Sequence, residues 1–164
     1  MELSFSSGVP QGIIECRYAV NTNSAGASIS ADTWTALAIT EFLDTGSFCS
    51  VSAGVMTLAS GTYRGYISCT GNRETGGGAS EAILRLRNTS DSASPIVSEE
   101  RTITAWDGSY TMPIAKFGSF IIGSSKNFEL QLLYDVAGTI GHAQSSLSDA
   151  DQHVLATIYL EKLA

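Results

Sequence analysis

The stretch that decides the fold is Ala79-Ser80-Glu81-Ala82-Ile83-Leu84-Arg85-Leu86-Arg87-Asn88. Successive side chains of an extended strand point to opposite faces. Ala82, Leu84 and Leu86 therefore share one side, while Glu81, Arg85 and Arg87 share the other. One apolar face and one polar face mark a half-buried antiparallel strand.

The same kind of signal recurs outward along the chain. Apolar or alternating runs lie near Gly12–Val20, Thr33–Thr40, Phe48–Val51, Val55–Leu58, Thr62–Thr70, Ile96–Ala105, Met112–Ile122, Phe128–Val136 and His153–Leu163. Clusters of Gly, Ser, Asn and Asp separate them, as turns require. Helical periodicity is confined to a short candidate over Ser146–Val154. The pattern predicts an all-β protein, an antiparallel jelly-roll sandwich of about ten short strands. Trp34, placed before an apolar strand, is expected in the core.

Two strands look different from the rest. In the last one, Val154, Ala156, Ile158 and Leu160 fall on one side, and Leu155, Thr157, Tyr159 and Leu163 on the other. Phe128–Val136 is similar, with Phe128, Leu130, Leu132 and Tyr134 on one side and Leu133 on the other. A sandwich covers only one face of each strand, so a second apolar face calls for cover by another subunit, or else by a small flanking loop or the N-terminal arm. Phe128, Leu133, Leu155, Thr157, Tyr159 and Leu163 are the expected oligomer interface.

Composition narrows the function classes. The 164 residues suit one domain, with 9 Lys plus Arg against 16 Asp plus Glu and a formal charge of −7. With no cluster of basic residues to neutralise phosphates, nucleic acid is not an expected partner. No run approaches the ~20 apolar residues of a membrane span, and Met1–Pro10 lacks the basic start of a secretory signal. Synthesis in a cytoplasm follows as the expectation. Cys16, Cys49 and Cys69 are odd in number and widely spaced, which suits buried, reduced thiols better than a disulfide framework or zinc site.

The search for chemistry finds little. His142 and His153 lack a nucleophile–base setting. Gly118 to Ser125 imitates a phosphate loop but lacks its lysine and lies between strands, so Gly123-Ser124-Ser125 reads as a turn. Asp149 and Asp151 lack the rest of a calcium loop. Glu99 and Glu100 are adjacent and point apart on a strand. No catalytic residue, metal ligand or cofactor is assigned. Trp106 and Tyr110, in a loop-like stretch, are the candidate ligand contacts, since Trp and Tyr stack on sugars and anchor partners.

Several ordered motifs carry a family resemblance. They are Trp34-Thr35-Ala36-Leu37, Leu58-Ala59-Ser60-Gly61-Thr62-Tyr63, Leu84-Arg85-Leu86-Arg87-Asn88-Thr89-Ser90-Asp91, Phe117-Gly118-Ser119-Phe120, Lys126-Asn127-Phe128-Glu129-Leu130-Gln131 and the closing Glu161-Lys162-Leu163. Together they resemble a C-terminal domain of tailed-phage structural proteins. Its jelly roll is similar to the trimeric tumour-necrosis-factor and complement globular-head folds. The sequence departs from that pattern after Trp34, where Ala36 and Leu37 stand in place of an arginine step.

The resemblance covers roughly residues 12–164 and implies a homotrimer. It implies a non-enzymatic virion surface protein, made in the host cytoplasm and released by lysis. A head fibre, a head decoration or a tail-tip receptor-binding knob would each fit. Residues 1–11 are then an arm attaching residues 12–164 to a capsid or tail protein, with no fibre shaft. A host cell-surface glycan is a candidate partner. The alternatives are a bacterial carbohydrate-binding module using Trp106, or a polysaccharide depolymerase. The latter needs two carboxylates roughly 5–10 Å apart in a groove.

Overall fold

The computed structural model describes residues 9–21, 26–71, 78–98, 101–105, 112–140 and 152–164. Fourteen strands are present among them and no helix. In chain order these begin with β1 (Pro10–Asn21), β2 (Ser28–Ile29), β3 (Thr35–Ala36), β4 (Thr40–Asp44), β5 (Cys49–Ser52), β6 (Val55–Leu58) and β7 (Gly61–Gly71). They continue with β8 (Gly78–Asn88), β9 (Ala93–Val97), β10 (Arg101–Ala105), β11 (Met112–Ile122), β12 (Lys126–Tyr134), β13 (Gly138–Thr139) and β14 (Gln152–Leu163).

Two antiparallel sheets face one another. One has the order β11-β7-β14-β1-β4; the other runs β10-β8-β12-β6-β5, with β3 added to β12 and β9 to β8. The first and last strands are neighbours: β1 pairs with β14 from Pro10 opposite Leu163 to Asn21 opposite Gln152. The turn between β5 and β6 holds Ala53 and Gly54 at φ 50° and 78°. Two successive positive φ values suit a tight hairpin whose twist matches its strands.

The core is an alternating one. In β8, Ala82, Leu84 and Leu86 are fully buried between the sheets, as their spacing predicts. Tyr63 of β7, Phe120 of β11 and Phe128 of β12 form an aromatic column joining the two layers. Their ring centroids lie 5.5 and 5.4 Å apart, a separation at which such pairs attract.

The expected Thr33–Thr40 strand is broken in the structure. Ile39 N–H donates to the Leu37 carbonyl two residues back, a three-residue turn. There the chain crosses from β3 in one sheet to β4 in the other, and Leu37 and Ile39 still point into the core. The expected Ile96–Ala105 strand is two strands, β9 and β10, that pair with different halves of β8. Ser98 sits after the first, its hydroxyl accepting from Leu84 N–H and its own N–H donating to Leu84. Of the candidate helix, residues 146–151 lie outside the described residues and 152–154 are strand. Trp34 is half-buried beneath the Arg85 guanidinium, 3.7 Å from its ring centroid, and lies outside the core.

Candidate functional site

The outer face of the five-stranded sheet is built from residues that alternate with the core. In β7, Tyr63, Gly65, Ile67 and Cys69 are buried, so Arg64, Tyr66, Ser68 and Thr70 turn outward. In β11, Ile114 and Ile122 are buried, while Phe117 and Ile121 stand 65% and 77% exposed on the other side. Ala156, Ile158 and Leu160 of β14 face the core, leaving Thr157, Tyr159 and Glu161 outward.

Strand register brings these residues into one row. Phe117 lies opposite Tyr66, Tyr66 opposite Tyr159, Tyr159 opposite Glu15, and Glu15 opposite Leu43. Tyr66 and Tyr159 stack at 5.4 Å with their planes 15° apart. Gly65 permits this closeness, because a β-carbon there would run into the carbonyl oxygen and α-carbon of the facing strand at Tyr159 and Leu160. Phe42 is the extra residue of an irregularity in β4 and is 58% exposed. The Arg17 guanidinium covers its ring at 3.2 Å.

The charges on this face are already matched. Arg17 pairs with Glu15 at 2.6 Å and Arg64 with Glu161 at 2.7 Å. Partial burial, reinforced by Glu161 and Tyr66, raises the Tyr159 hydroxyl above its ordinary range, so it stays neutral. In a chain of formal charge −7, these four charged groups sum to zero. A small groove lined by Ser68, Thr70, Val154, Leu155 and Thr157 lies beside this row.

The structure divides the six residues expected at the interface. Thr157 and Tyr159 lie on this face. Phe128 does not: it is fully buried in the aromatic column, because its alternation with Leu130 and Leu132 serves the core. Leu133 is outward and half-buried, but on the opposite sheet. Leu155 is the extra residue where pairing shifts between Tyr18–Ala156 and Ala19–Val154. That shift changes its side and turns it into the core, while Val154 becomes exposed. Leu163, at the end of β14, is buried within the chain. Tyr66, Phe117, Ile121 and Phe42 were missed from sequence. Alternation along β7 and β11 carried the signal, but only the register shows that they join Tyr159. Trp106 and Tyr110 lie outside the described residues.

The motif Asn88-Thr89-Ser90-Asp91 is a latch. The Asn88 amide accepts from Asp91 N–H and donates to the Asp91 carboxylate, which binds Lys126 at 2.7 Å. The Ser90 hydroxyl accepts from Asn127 N–H. Lys126 beside Asp91 holds that carboxyl below its ordinary range.

No protein-family model and no curated protein sequence matches the chain. Solved structures do match in fold. Murine APRIL at pH 5.0 is 9% identical with a TM-score of 0.57, the likeness covering 93% of this chain and 98% of that one. Eiger TNF from S. frugiperda is 11% identical with a TM-score of 0.54, covering 95% and 94%. The chain thus has the two-sheet jelly roll of tumour-necrosis-factor-like proteins. At such identity the likeness extends to the fold alone.

Proposed function

We propose that the protein is a non-enzymatic, homotrimeric jelly-roll knob on the surface of a tailed-phage or phage-like particle. Its role is that of a head fibre or decoration, or of a tail-tip receptor-binding protein. The observation that carries the assembly is the outer face of the five-stranded sheet. Phe117, Tyr66 and Tyr159 lie in one row there, beside charges neutralised within the chain. Tyrosine and phenylalanine anchors surrounded by satisfied polar groups are what protein interfaces concentrate. The phage setting is supported by the ordered motifs from Trp34 to Leu163. In this reading the first eleven residues attach the knob to a capsid or tail protein, and the distal end meets a host glycan.

Light scattering after size exclusion tests the assembly: the expected mass is three times 17.2 kDa. A monomer would overturn it. Antibody labelling of purified particles tests the setting. Label at fixed sites over the head would identify decoration, label at the tail with blocked adsorption would identify receptor binding, and unlabelled particles would sink the virion reading.

A further inference from the structure

Three sulfur-bearing residues, Cys16, Met56 and Cys49, pack into the core where the two sheets join. Cys16, on β1 of the five-stranded sheet, is fully buried, and its thiol donates to the Met56 sulfur at 3.8 Å. Met56 belongs to β6 of the opposite sheet, so Cys16 already reaches across the sandwich. Cys49 and Val51 on β5 pair with Leu58 and Met56, which places Cys49 diagonally beside Met56, within side-chain reach. Cys49 is half-buried and packs against the same core cluster as Cys16 and Met56.

The backbone around the pair is stitched on every side. Ile13 and Thr45 exchange hydrogen bonds, Ile13 N–H to the Thr45 hydroxyl and Thr45 N–H to the Ile13 carbonyl. Asp44, which pairs with Ile14, accepts from Gly46 N–H and from Cys49 N–H at 2.7 Å. The strand carrying Cys16 and the corner carrying Cys49 are thus held together by the fold itself. All three cysteines are free thiols, Cys16 and Cys69 buried and Cys49 only partly so.

We propose that Cys16 and Cys49 are a preorganised dithiol that closes into an intramolecular disulfide once the protein leaves a reducing compartment. With a small disulfide such as oxidised glutathione, the Cys49 sulfur attacks first, being the more accessible. It forms a mixed disulfide and releases one glutathione thiol. Cys16 then attacks the Cys49 sulfur, the S–S bond to glutathione breaks, and the second thiol leaves. Two protein thiols are oxidised and one glutathione disulfide is reduced to two thiols. The new bond ties β1 to β5, clamping the five-stranded sheet to the seven-stranded one across their shared edge. Cys69 takes no part: it is buried and lies on β7, away from the β5–β6 hairpin that carries Cys49.

The reaction is slow at neutral pH, because the thiolate is the attacking species. The neighbouring Cys16 thiol, partial burial and the nearby Glu41 and Asp44 carboxylates hold the Cys49 thiol protonated, well above the ordinary thiol range. The rate therefore rises with pH. The clamp is independent of which particle carries the chain, so its failure would leave the assembly reading untouched.

The test is incubation of the native, full-length protein with oxidised glutathione at mildly alkaline pH, followed by acid quench, unfolding, alkylation and mass spectrometry. The expected result is a loss of two hydrogens per chain, one alkylated cysteine at Cys69, and a linked peptide pair containing Cys16 and Cys49. The thermal midpoint should rise and fall back with reductant. Cys16→Ser should stop at a glutathione adduct on Cys49. Three alkylated thiols in the wild type, a stable adduct on its Cys49, or a bond to Cys69 or to a second chain would each overturn the proposal.

Discussion

The two outer faces of the sandwich differ in kind. On the five-stranded sheet, Phe117, Ile121, Tyr66 and Phe42 are exposed around matched ion pairs. On the seven-stranded sheet the long side chains satisfy one another. Arg85 donates twice to Gln131, which donates to Glu129, and the same guanidinium covers Trp34. Arg87 donates to Ser94. One face is finished within the chain and the other exposes apolar rings. The difference teaches that an apolar residue on a second strand face has two fates within one chain: cover by a long polar neighbour, or exposure at the surface.

The largest expected effects separate these faces from the core between them. Phe128→Ala should cost about 3–5 kcal/mol of stability, read by urea unfolding, because it opens a cavity in the aromatic column. A loss of oligomer without loss of stability would return Phe128 to the interface. Tyr159→Asp should convert the oligomer to a monomer on light scattering, since an unpaired charge buried at an interface costs about 3–5 kcal/mol. Leu133→Asp, on the other sheet, should leave the mass unchanged. The reverse result would show that the seven-stranded face makes the contact.

Smaller effects sharpen the picture of the self-satisfied side. Asn88→Ala removes a buried amide with two bonds to Asp91 and should destabilise by about 1–3 kcal/mol in the same unfolding assay. Arg85→Ala should cost about 1 kcal/mol through its contact with Trp34, visible as a change in Trp fluorescence with no change of mass. The smallest effect is electrostatic. Lys126 depresses the Asp91 carboxyl. Such a group stabilises fully above its unfolded value, about 3.9, and loses that contribution as pH falls through the lower folded value. Asp91→Asn should flatten the acid side of the stability curve slightly; an unaltered acid side would show that the pair contributes nothing.

The motifs that suggested a family turn out to be structural. Tyr63, Phe120 and Phe128 come from three separate motifs and meet in one column. Asn88, Asp91 and Lys126 come from two and meet in one latch. Such residues specify a fold rather than a ligand, consistent with structural neighbours that share the jelly roll at 9% and 11% identity. Most strands were legible because the period of two survives wherever one face is buried. The β3–β4 crossover was not legible, because Leu37 and Ile39 keep inward positions through a turn that breaks the strand.

By itself, the amino-acid order determined the all-β class, most of the strand positions and the inward residues of β8. Each depends only on which side of an extended chain a residue occupies. The tertiary structure alone decided which residues make up the exposed aromatic face. A single extra residue at Leu155 changes its side, and whether two outward residues are neighbours depends on which strands pair and in what register. Tyr66 and Tyr159 lie 93 positions apart in the chain (159 − 66) and stack only because β7 and β14 are adjacent, with Gly65 letting them close.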